Sequence, residues 1–351
     1  MRPRSLKSPG DLAAAGLVDA ATAQALEPVA RDFAIAITPD MAALIDAADP
    51  YDPIARQFAP SLAELNVLPE ERADPIGDAA HRPLPGIVHR YPDRVLLTLS
   101  HSCPVYCRFC FRREVVGPGG HRRLGEEAIK SAIAYIAGRP AIWEVILTGG
   151  DPLALSPDRI AEVMRRLGAI DHVKIARVHS RVPAVAPHLI NDAMITALKA
   201  FGKATYVALH ANHPREMTPA ARAACARLID AGIPMISQSV LLRGVNDTAE
   251  TLAALMRAFV ETRIKPYYLH HGDLARGASH LRTSIAEGQA LMQALLGRVS
   301  GLCQPAYMLD IPGGAGKVSI GPQYLEKAAG GGFRVRDPFG GEHDYPPRSD
   351  R

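Results

Sequence analysis

Three closely spaced cysteines constrain this chain more than any other feature of its sequence. They lie in the run Cys103-Pro-Val-Tyr-Cys107-Arg-Phe-Cys110, which brings three thiolates within reach of one inorganic centre. An iron–sulfur cluster normally takes four cysteine ligands, so three ligands indicate a cluster with one iron open to a non-protein ligand. A structural zinc site would need a second short-spaced pair of ligands, and no such pair follows. The other cysteines, Cys225 and Cys303, stand alone among apolar residues, which favours burial in the core.

The composition is typical of a globular enzyme. The 351 residues are 48% hydrophobic and 22% charged, which suffices for one large domain or two modest ones. Asp11, Asp19 and Glu27 interrupt the apolar stretch near the basic start, so we expect no secretory signal and a cytoplasmic location. Five cysteines are too few for a disulfide scaffold. The net charge of +4 is small and scattered, so neither nucleic acid nor a membrane is an expected partner.

Alternating β-rich and helical segments dominate the chain after residue 85. Residues 1–85 are expected to form a helical lead-in interrupted by prolines. Residues 86–310 contain about six strand–helix units, which predict an α/β fold with a parallel sheet in a partial (β/α)6 TIM-like barrel. Functional residues are then expected at the carboxyl ends of the strands. The predicted strands begin at residues 94, 145, 174, 204, 234 and 265, and the predicted helices span 125–138, 157–167, 188–201, 218–231 and 248–262.

Two glycines follow the second predicted strand. Gly149 and Gly150 precede Asp151 and a proline, and glycines at a strand end let the backbone approach a ligand closely. The same residues are also common in ordinary turns. This segment follows the next strand after the cysteine loop, so both segments are expected at the same edge of the sheet. That position favours a ligand-binding role over an ordinary turn.

A second glycine-rich segment, Gly313-Gly-Ala-Gly, precedes Lys317. It differs from a Walker A phosphate loop, since Ile311 occupies the first glycine position and Val318 follows the lysine. A lysine beside flexible glycines can instead form a Schiff base with a carbonyl cofactor and swing aside when a substrate amine displaces it. The region 311–351 is therefore predicted to be a C-terminal segment that carries a cofactor lysine.

Taken together, these motifs resemble the radical S-adenosylmethionine (radical SAM) superfamily and, within it, the lysine 2,3-aminomutase family. The cysteine loop and residues 149–151 match the superfamily, and the segments 89–94, 107–113 and 310–317 match the narrower family. The resemblance covers nearly all of residues 85–330. It implies a radical SAM type barrel and an isomerase that interconverts L-α-lysine and L-β-lysine. A 5′-deoxyadenosyl radical would remove a β-hydrogen, and the amino group would move from C2 to C3.

The resemblance also implies three cofactors and a role for individual residues. The cofactors are a [4Fe-4S] cluster, S-adenosyl-L-methionine (SAM) and pyridoxal 5′-phosphate (PLP). The cluster ligands are Cys103, Cys107 and Cys110, and Lys317 would be the catalytic lysine that binds PLP. The other expected cofactor-binding residues are Arg90, Tyr91, Arg94, Gly149, Gly150, Asp151, Ser180, Arg181, His210 and Gln238. The expected substrate-binding residues are Arg112 for the carboxylate, and Asp273 and Asp310 for the ε-ammonium.

Several alternatives remain open at this point. The enzyme could supply β-lysine for modification of elongation factor P, or it could act on another amino acid such as arginine or glutamate. A non-catalytic iron–sulfur or zinc protein would leave Lys317 and Asp273 without a role. Two positions depart from the larger clostridial members of the family: His270 replaces a tyrosine near the pyridoxal ring, and Thr248 replaces a zinc ligand. A flavodoxin or ferredoxin is the expected electron donor, and a homo-oligomer is possible.

Overall fold

A nine-stranded sheet forms the centre of the protein in a computed structural model that describes residues 4–117, 123–328 and 331–346. Neighbouring strands follow chain order, so the sheet runs from its first strand to its ninth as a partial barrel. The strands are β1 Ile87–Tyr91, β2 Arg94–Ser100, β3 Glu144–Gly149, β4 Ile175–Ser180, β5 Ala204–His210, β6 Met235–Val240, β7 Ile264–His270, β8 Ala306–Ile311 and β9 Gly316–Ser319. A separate antiparallel sheet contains β10 Leu325–Lys327, β11 Phe333–Arg336 and β12 Glu342–Tyr345.

Strands β2 to β8 are parallel, whereas β1 and β9 pair antiparallel with β2 and β8 at the two edges. Helices connect successive parallel strands, as expected for this class of sheet. The helices are α1 Pro9–Ala14, α2 Ala20–Ala25, α3 Glu27–Asp32, α4 Pro39–Ala42, α5 Ala55–Phe58, α6 Glu126–Ala137, α7 Pro157–Gly168, α8 Val182–Val185, α9 Asp192–Lys199, α10 Pro219–Asp230, α11 Ala249–Glu261 and α12 Ile285–Leu295.

Helix α7 illustrates how the barrel helices pack. Its buried residues are Ile160, Val163, Met164 and Leu167, a spacing that forms one apolar face of a helix. Pro157 stands in its first turn, where the missing N–H costs nothing. The opposite face carries the charged residues, so the helix presents a single apolar side to the sheet.

The predicted radical SAM type barrel is confirmed, and all six predicted strands are present. Strand β8 adds a seventh parallel strand that the sequence did not indicate. The predicted helix 188–201 is shorter in the structure, because the side chain of Asn191 caps α9 by accepting a hydrogen bond from the backbone N–H of Met194 at 3.0 Å. A short 3-10 turn, Pro187–Leu189, precedes that cap.

The lead-in folds into short helices, α1 to α5, of four to six residues each. Its apolar residues Leu12, Ile37, Met41 and Phe58 are fully buried in the main core. The lead-in is therefore packed against the barrel instead of extending from it. Among the residues that the structure describes, no helix has the length and apolar character needed to cross a bilayer.

Candidate active site

The cysteine loop follows β2 and surrounds a small cavity of about 40 Å³ that all three cysteines line. Burial raises the pKa of Cys103 well above its usual value, and it raises the pKa of Cys110 to about 11. Burial also raises the pKa of Cys107, although the Arg181 guanidinium partly opposes the shift. Three thiolates are therefore costly here unless a cation compensates them. The cysteine loop therefore suits a metal-containing group, whose positive charge would compensate the three thiolates.

A cluster and a single metal ion differ in the spacing of the ligands that they need. No three side chains of the His, Cys, Asp or Glu type within residues 4–117, 123–328 and 331–346 are grouped closely enough to hold one ion. A [4Fe-4S] cluster binds each cysteine through a different iron, so its ligands lie farther apart than those of zinc.

Buried ion pairs attach the cysteine loop to the lead-in. Glu64 is fully buried, and its Oε1 accepts a hydrogen bond from Arg108 Nε at 2.9 Å. Arg113 donates to Oε2 of the same carboxylate. The backbone N–H of Arg108 also donates to the carbonyl of Gln57 at 2.8 Å. Because Arg108 lies between two cysteines, these contacts fix the loop that carries the three cysteines.

The two glycines at the end of β3 are required by close packing. A Cβ on Gly149 would lie 2.3 Å from Thr98 Cγ2, and a Cβ on Gly150 would lie 2.3 Å from the carbonyl oxygen of Ser102. Gly149 also has a φ of +114°, which disfavours any other residue. Both glycines therefore let the end of β3 contact the segment that leads into Cys103.

Asp151 joins the carboxyl ends of β3 and β4. Its carboxylate accepts hydrogen bonds from Ser180 Oγ at 2.7 Å and from the backbone N–H groups of Arg181 at 2.7 Å, Val182 at 3.2 Å and Leu153 at 3.0 Å. Burial raises the pKa of Asp151 although these donors oppose the shift. Asp151 and Ser180 thus lie together beside the cysteine loop, and their contact with SAM stays a prediction.

Arg181 reaches from β4 to the cysteine loop. Its Nη1 donates to Cys107 Sγ at 3.1 Å, and its Nη2 donates to Gln57 Oε1 at 3.2 Å and to the fully buried Glu216. Hydrogen bonds to a cluster sulfur are one of the ways in which a protein sets the reduction potential of the cluster. The structure thus gives Arg181 a contact that its predicted role in cofactor binding did not specify.

Polar side chains line the barrel interior between Arg181 and Lys317. Burial, with smaller contributions from His270 and Arg181, lowers the pKa of His210 to about 3. Gln238 hydrogen-bonds to the same ring, and the His179 ring lies 5.8 Å from it. The imidazoles are therefore neutral at pH 7 and can donate or accept hydrogen bonds without adding charge to the interior.

Lys317 lies at the edge of the sheet, opposite Asp310. Strands β8 and β9 pair these two residues, and Lys317 Nζ donates to Asp310 Oδ2. Tyr91 Oη accepts the backbone N–H of Lys317 at 2.9 Å. Asp310 also lies 3.6 Å from His270 Nδ1 and 3.8 Å from Arg90 Nη1. Lys317, His270 and Arg90 thus meet around the Asp310 carboxylate.

Several groups near Lys317 lack the partners that burial demands. Arg90 Nε and Asp310 Oδ1 are buried without a hydrogen bond. Burial and the nearby Asp310 raise the pKa of Asp273 to about 7. Burial alone would raise the pKa of Asp310 as well, but hydrogen bonding to His270 and the charge of Lys317 lower it to about 2. Unpaired polar atoms of this kind fit a site that binds a charged cofactor and substrate.

Arg94 and Arg112 complete the set of predicted site residues. Arg112 donates to Asp78 Oδ2 from Nη2 at 2.8 Å and lies near Asp273. Arg94 stands at the amino end of β2, where it stacks 3.9 Å above the Tyr91 ring and donates to Asp93 at 2.7 Å. It therefore contacts the Lys317 region through Tyr91.

The structure also reveals polar residues that the sequence did not single out. Asp78, Glu64, Gln57 and Glu216 are all buried and all bind an arginine of the site. Three of them lie in the lead-in, where isolated polar residues between prolines carry no recognisable pattern. Only the buried position of each residue, which the sequence does not show, could have identified it.

Comparison with known proteins agrees with this geometry. Residues 97–256 match the model of the Radical SAM superfamily. The L-lysine 2,3-aminomutase of Clostridium subterminale is 39% identical over 84% of this chain and 70% of the relative. The L-lysine 2,3-aminomutase of Escherichia coli strain K12 is 35% identical over 84% of this chain and 85% of the relative. The glutamate 2,3-aminomutase of Clostridioides difficile is 34% identical over 86% of this chain and 70% of the relative.

The cofactors of this family agree with the donor groups described above. The three cysteines would hold the [4Fe-4S] cluster, and the unpaired groups near Lys317 suit PLP. As an aminomutase, the enzyme is an isomerase that uses a [4Fe-4S] cluster, SAM and PLP. The chain belongs to the lysine 2,3-aminomutase family of radical SAM enzymes.

Proposed function

We propose that this enzyme interconverts L-α-lysine and L-β-lysine. The observation that carries the proposal is the Asp310 carboxylate, which binds a primary ammonium, that of Lys317. Asp273 lies close enough for the charges of Asp310 and Lys317 to shift its pKa. A lysine substrate would bring an ammonium of the same chemistry to these two acids. Arg112, whose charge also acts on Asp273, would then bind the substrate carboxylate.

The protein's contribution is to bind and orient the reacting parts. When bound, the cluster and SAM supply a 5′-deoxyadenosyl radical, and PLP carries the migrating amino group. Lys317 would hold PLP, and Arg90 has an unpaired Nε available for the cofactor phosphate. The neutral rings of His179 and His210 line the interior without introducing a charge. The buried walls keep water away from the reacting centre.

The same charges argue against glutamate as the substrate. A glutamate side chain would place its carboxylate beside Asp273 and Asp310, and like charges at that distance repel each other in a buried site. Arginine would offer a cation, but its planar fork differs in length and shape from an ammonium. Lysine is therefore the proposed substrate.

The proposal includes a one-electron donor such as flavodoxin or ferredoxin, a cytoplasmic location and assembly as a homo-oligomer. The small-molecule substrate is a free amino acid, since both of its charged ends have a countercharge in the site.

The test is an anaerobic reaction of the reconstituted, reduced protein with PLP, SAM and L-lysine, followed by chromatography for β-lysine. The wild type and Lys130→Ala, which changes an exposed lysine, should both form β-lysine. Lys317→Ala should form none, because PLP then has no lysine to hold it. Release of 5′-deoxyadenosine without β-lysine from the wild type would keep the radical chemistry and reject lysine as the substrate.

A further inference from the structure

A continuous series of alternating charges crosses the active site. Arg112 Nη2 lies 2.8 Å from Asp78 Oδ2, and Arg90 Nη2 lies 3.3 Å from Asp78 Oδ1. Arg90 Nη1 then lies 3.8 Å from Asp310 Oδ1, and Asp310 pairs with Lys317. Asp78 is the only member of this series that the sequence analysis did not predict, and it joins the two arginines.

Asp78 itself is held firmly in the lead-in. It is only 4% exposed, and its backbone N–H donates to Asp74 Oδ1 at 2.9 Å. The preceding residue, Gly77, packs so closely on the glycine segment before Lys317 that a Cβ there would lie 2.4 Å from the carbonyl carbon of Gly313. His81 Nε2 lies 3.0 Å from the carbonyl oxygen of Gly314. The segment that carries Asp78 is thus fixed to the segment that carries Lys317.

The hydrogen bonds of Arg112 show what Asp78 does for it. A guanidinium has five N–H donors. Asp78 takes the Nε donor and one on Nη2, and Thr148 Oγ1 takes one on Nη1 at 3.3 Å, so three of the five are used. The two that remain lie on the two terminal nitrogens. This pair is the fork that binds a carboxylate through both of its oxygens.

The second oxygen of Asp78 acts on Arg90 in a similar way. Arg90 Nη2 donates to the carbonyl of Ile76 at 2.6 Å and to Asp78 at 3.3 Å, which leaves Nε without a partner. Two buried guanidinium groups would repel each other without a carboxylate between them. Asp78 therefore compensates both charges while it fixes the directions of their free donors.

We propose that Asp78 is a positioning residue that directs the free fork of Arg112 at the substrate carboxylate and Arg90 at the cofactor phosphate. The inference rests on the proposed function and adds a specificity-determining residue to it. It predicts that the benefit of Asp78 is confined to ligands with a carboxylate or phosphate at those arginines. Loss of Asp78 should therefore weaken the recognition of the substrate carboxylate much more than the recognition of its ammonium.

The test measures binding to the PLP-loaded protein with its cluster left oxidised, so that no turnover occurs. The absorbance of the cofactor reports the binding of L-lysine and of L-lysinamide, which lacks the carboxylate. Asp78→Asn should raise the Kd for L-lysine by on the order of tenfold, and the Kd for lysinamide by less than about threefold. Asp78→Glu, which keeps the charge, should recover part of the lysine affinity. An equal loss for both ligands, or no loss for lysine, would overturn the proposal.

Two further measurements distinguish a failure of the Asp78 role from a failure of the proposed function. Asp230→Asn removes a carboxylate from an exposed ion pair with Arg263 and should leave both affinities unchanged. The Kd for PLP is measured on the same variants, and Asp78→Asn should raise it severalfold through Arg90. If wild-type protein binds PLP but does not respond to lysine, the proposed function fails and the PLP measurement alone decides the role of Asp78. An unchanged PLP affinity would then overturn that role.

Discussion

Two regions of the active site differ in how completely their buried carboxylates are hydrogen-bonded. At the cysteine loop, Glu64 and Glu216 are fully buried, and both oxygens of each accept hydrogen bonds from the protein. At the Lys317 end, Asp310 has one buried oxygen without a hydrogen bond, and Asp273 has its pKa raised to about 7. Both carboxylates of the first region are therefore fully hydrogen-bonded, whereas the Asp310 carboxylate of the second region is not.

This difference matches what each region has to bind. In the proposed function, the cysteine loop presents three sulfur atoms in a fixed arrangement, and buried ion pairs whose carboxylates are fully hydrogen-bonded hold such an arrangement rigidly. In the proposed function, the Lys317 end exchanges one amine for another during each reaction cycle. Incomplete pairing lowers the cost of that exchange, because an incoming ammonium gains partners that the free protein lacks. Three changes test the comparison.

The largest effect is expected at the cysteine loop. Burial alone would raise the pKa of Glu64, but Arg108 and Arg113 lower it, so the carboxylate is charged at pH 7. Glu64→Gln leaves both arginines buried without a countercharge, which should lower the free energy of unfolding by about 3–5 kcal/mol. Urea unfolding at pH 7 measures this loss, and iron content per chain should fall with it.

The matched control is Glu126→Gln, which removes a carboxylate from exposed ion pairs with Arg159 and Arg166. Exposed pairs contribute little to stability, so this variant should unfold like the wild type. Equal behaviour of the two variants would show that the ion pairs at the cysteine loop are no more important than surface pairs.

The next effect is a pH dependence that arises at the Lys317 end. The pKa of Asp273 is about 7 in the folded chain and about 3.9 in an unfolded chain. Between these values the folded chain holds a proton that the unfolded chain has lost. The contribution of Asp273 to stability therefore falls as the pH rises from about 4 to about 7, by roughly 1.4 kcal/mol per pH unit at most.

Asp273→Asn should remove this slope, and urea unfolding of both proteins between pH 4.5 and 8 measures it. Buried neutral histidines such as His210 contribute a slope of opposite sign, but they are present in both proteins and cancel in the difference. Parallel pH profiles for the two proteins would contradict the assignment of an incompletely compensated carboxyl group to this region.

The smallest effect concerns the cluster potential. Arg181→Lys keeps a positive charge, but an ammonium cannot replace the planar fork that reaches Cys107, Gln57 and Glu216 together. The loss of one charged hydrogen bond to the sulfur should lower the midpoint potential by roughly 60 mV for a one-electron couple. A redox titration followed by electron paramagnetic resonance measures it. Arg263→Lys, in an exposed pair, is the control, and an unchanged potential in both variants would remove Arg181 from the cluster environment.

Much of the barrel could be predicted from the sequence because its strands are apolar and its helices have caps or prolines at their first turns. Strand β8 escaped prediction, since the polar Asp310 interrupts its short apolar run. Helix α9 was predicted four residues too early, because apolar residues continue before the Asn191 cap. Local patterns thus located the elements better than their ends.

The residues of the candidate site also differ in how far the sequence alone predicts them. Cys103, Cys107, Cys110 and Lys317 lie in motifs whose residue types indicate their chemistry, so the sequence alone predicts a role for each of them. Asp78 binds arginines 12 and 34 residues away along the chain, and no local pattern encodes such a partnership. Residues that position others through long-range contacts become visible only when the fold brings them together.

The central claim is that the charges around Lys317 select lysine, and one competition experiment tests it most directly. The reduced protein, loaded with PLP and SAM, would be given equal concentrations of L-lysine, L-arginine and L-glutamate under anaerobic conditions, and the β-amino acids would be separated by chromatography. The account predicts that β-lysine is the main product. A predominance of β-glutamate or β-arginine would contradict it.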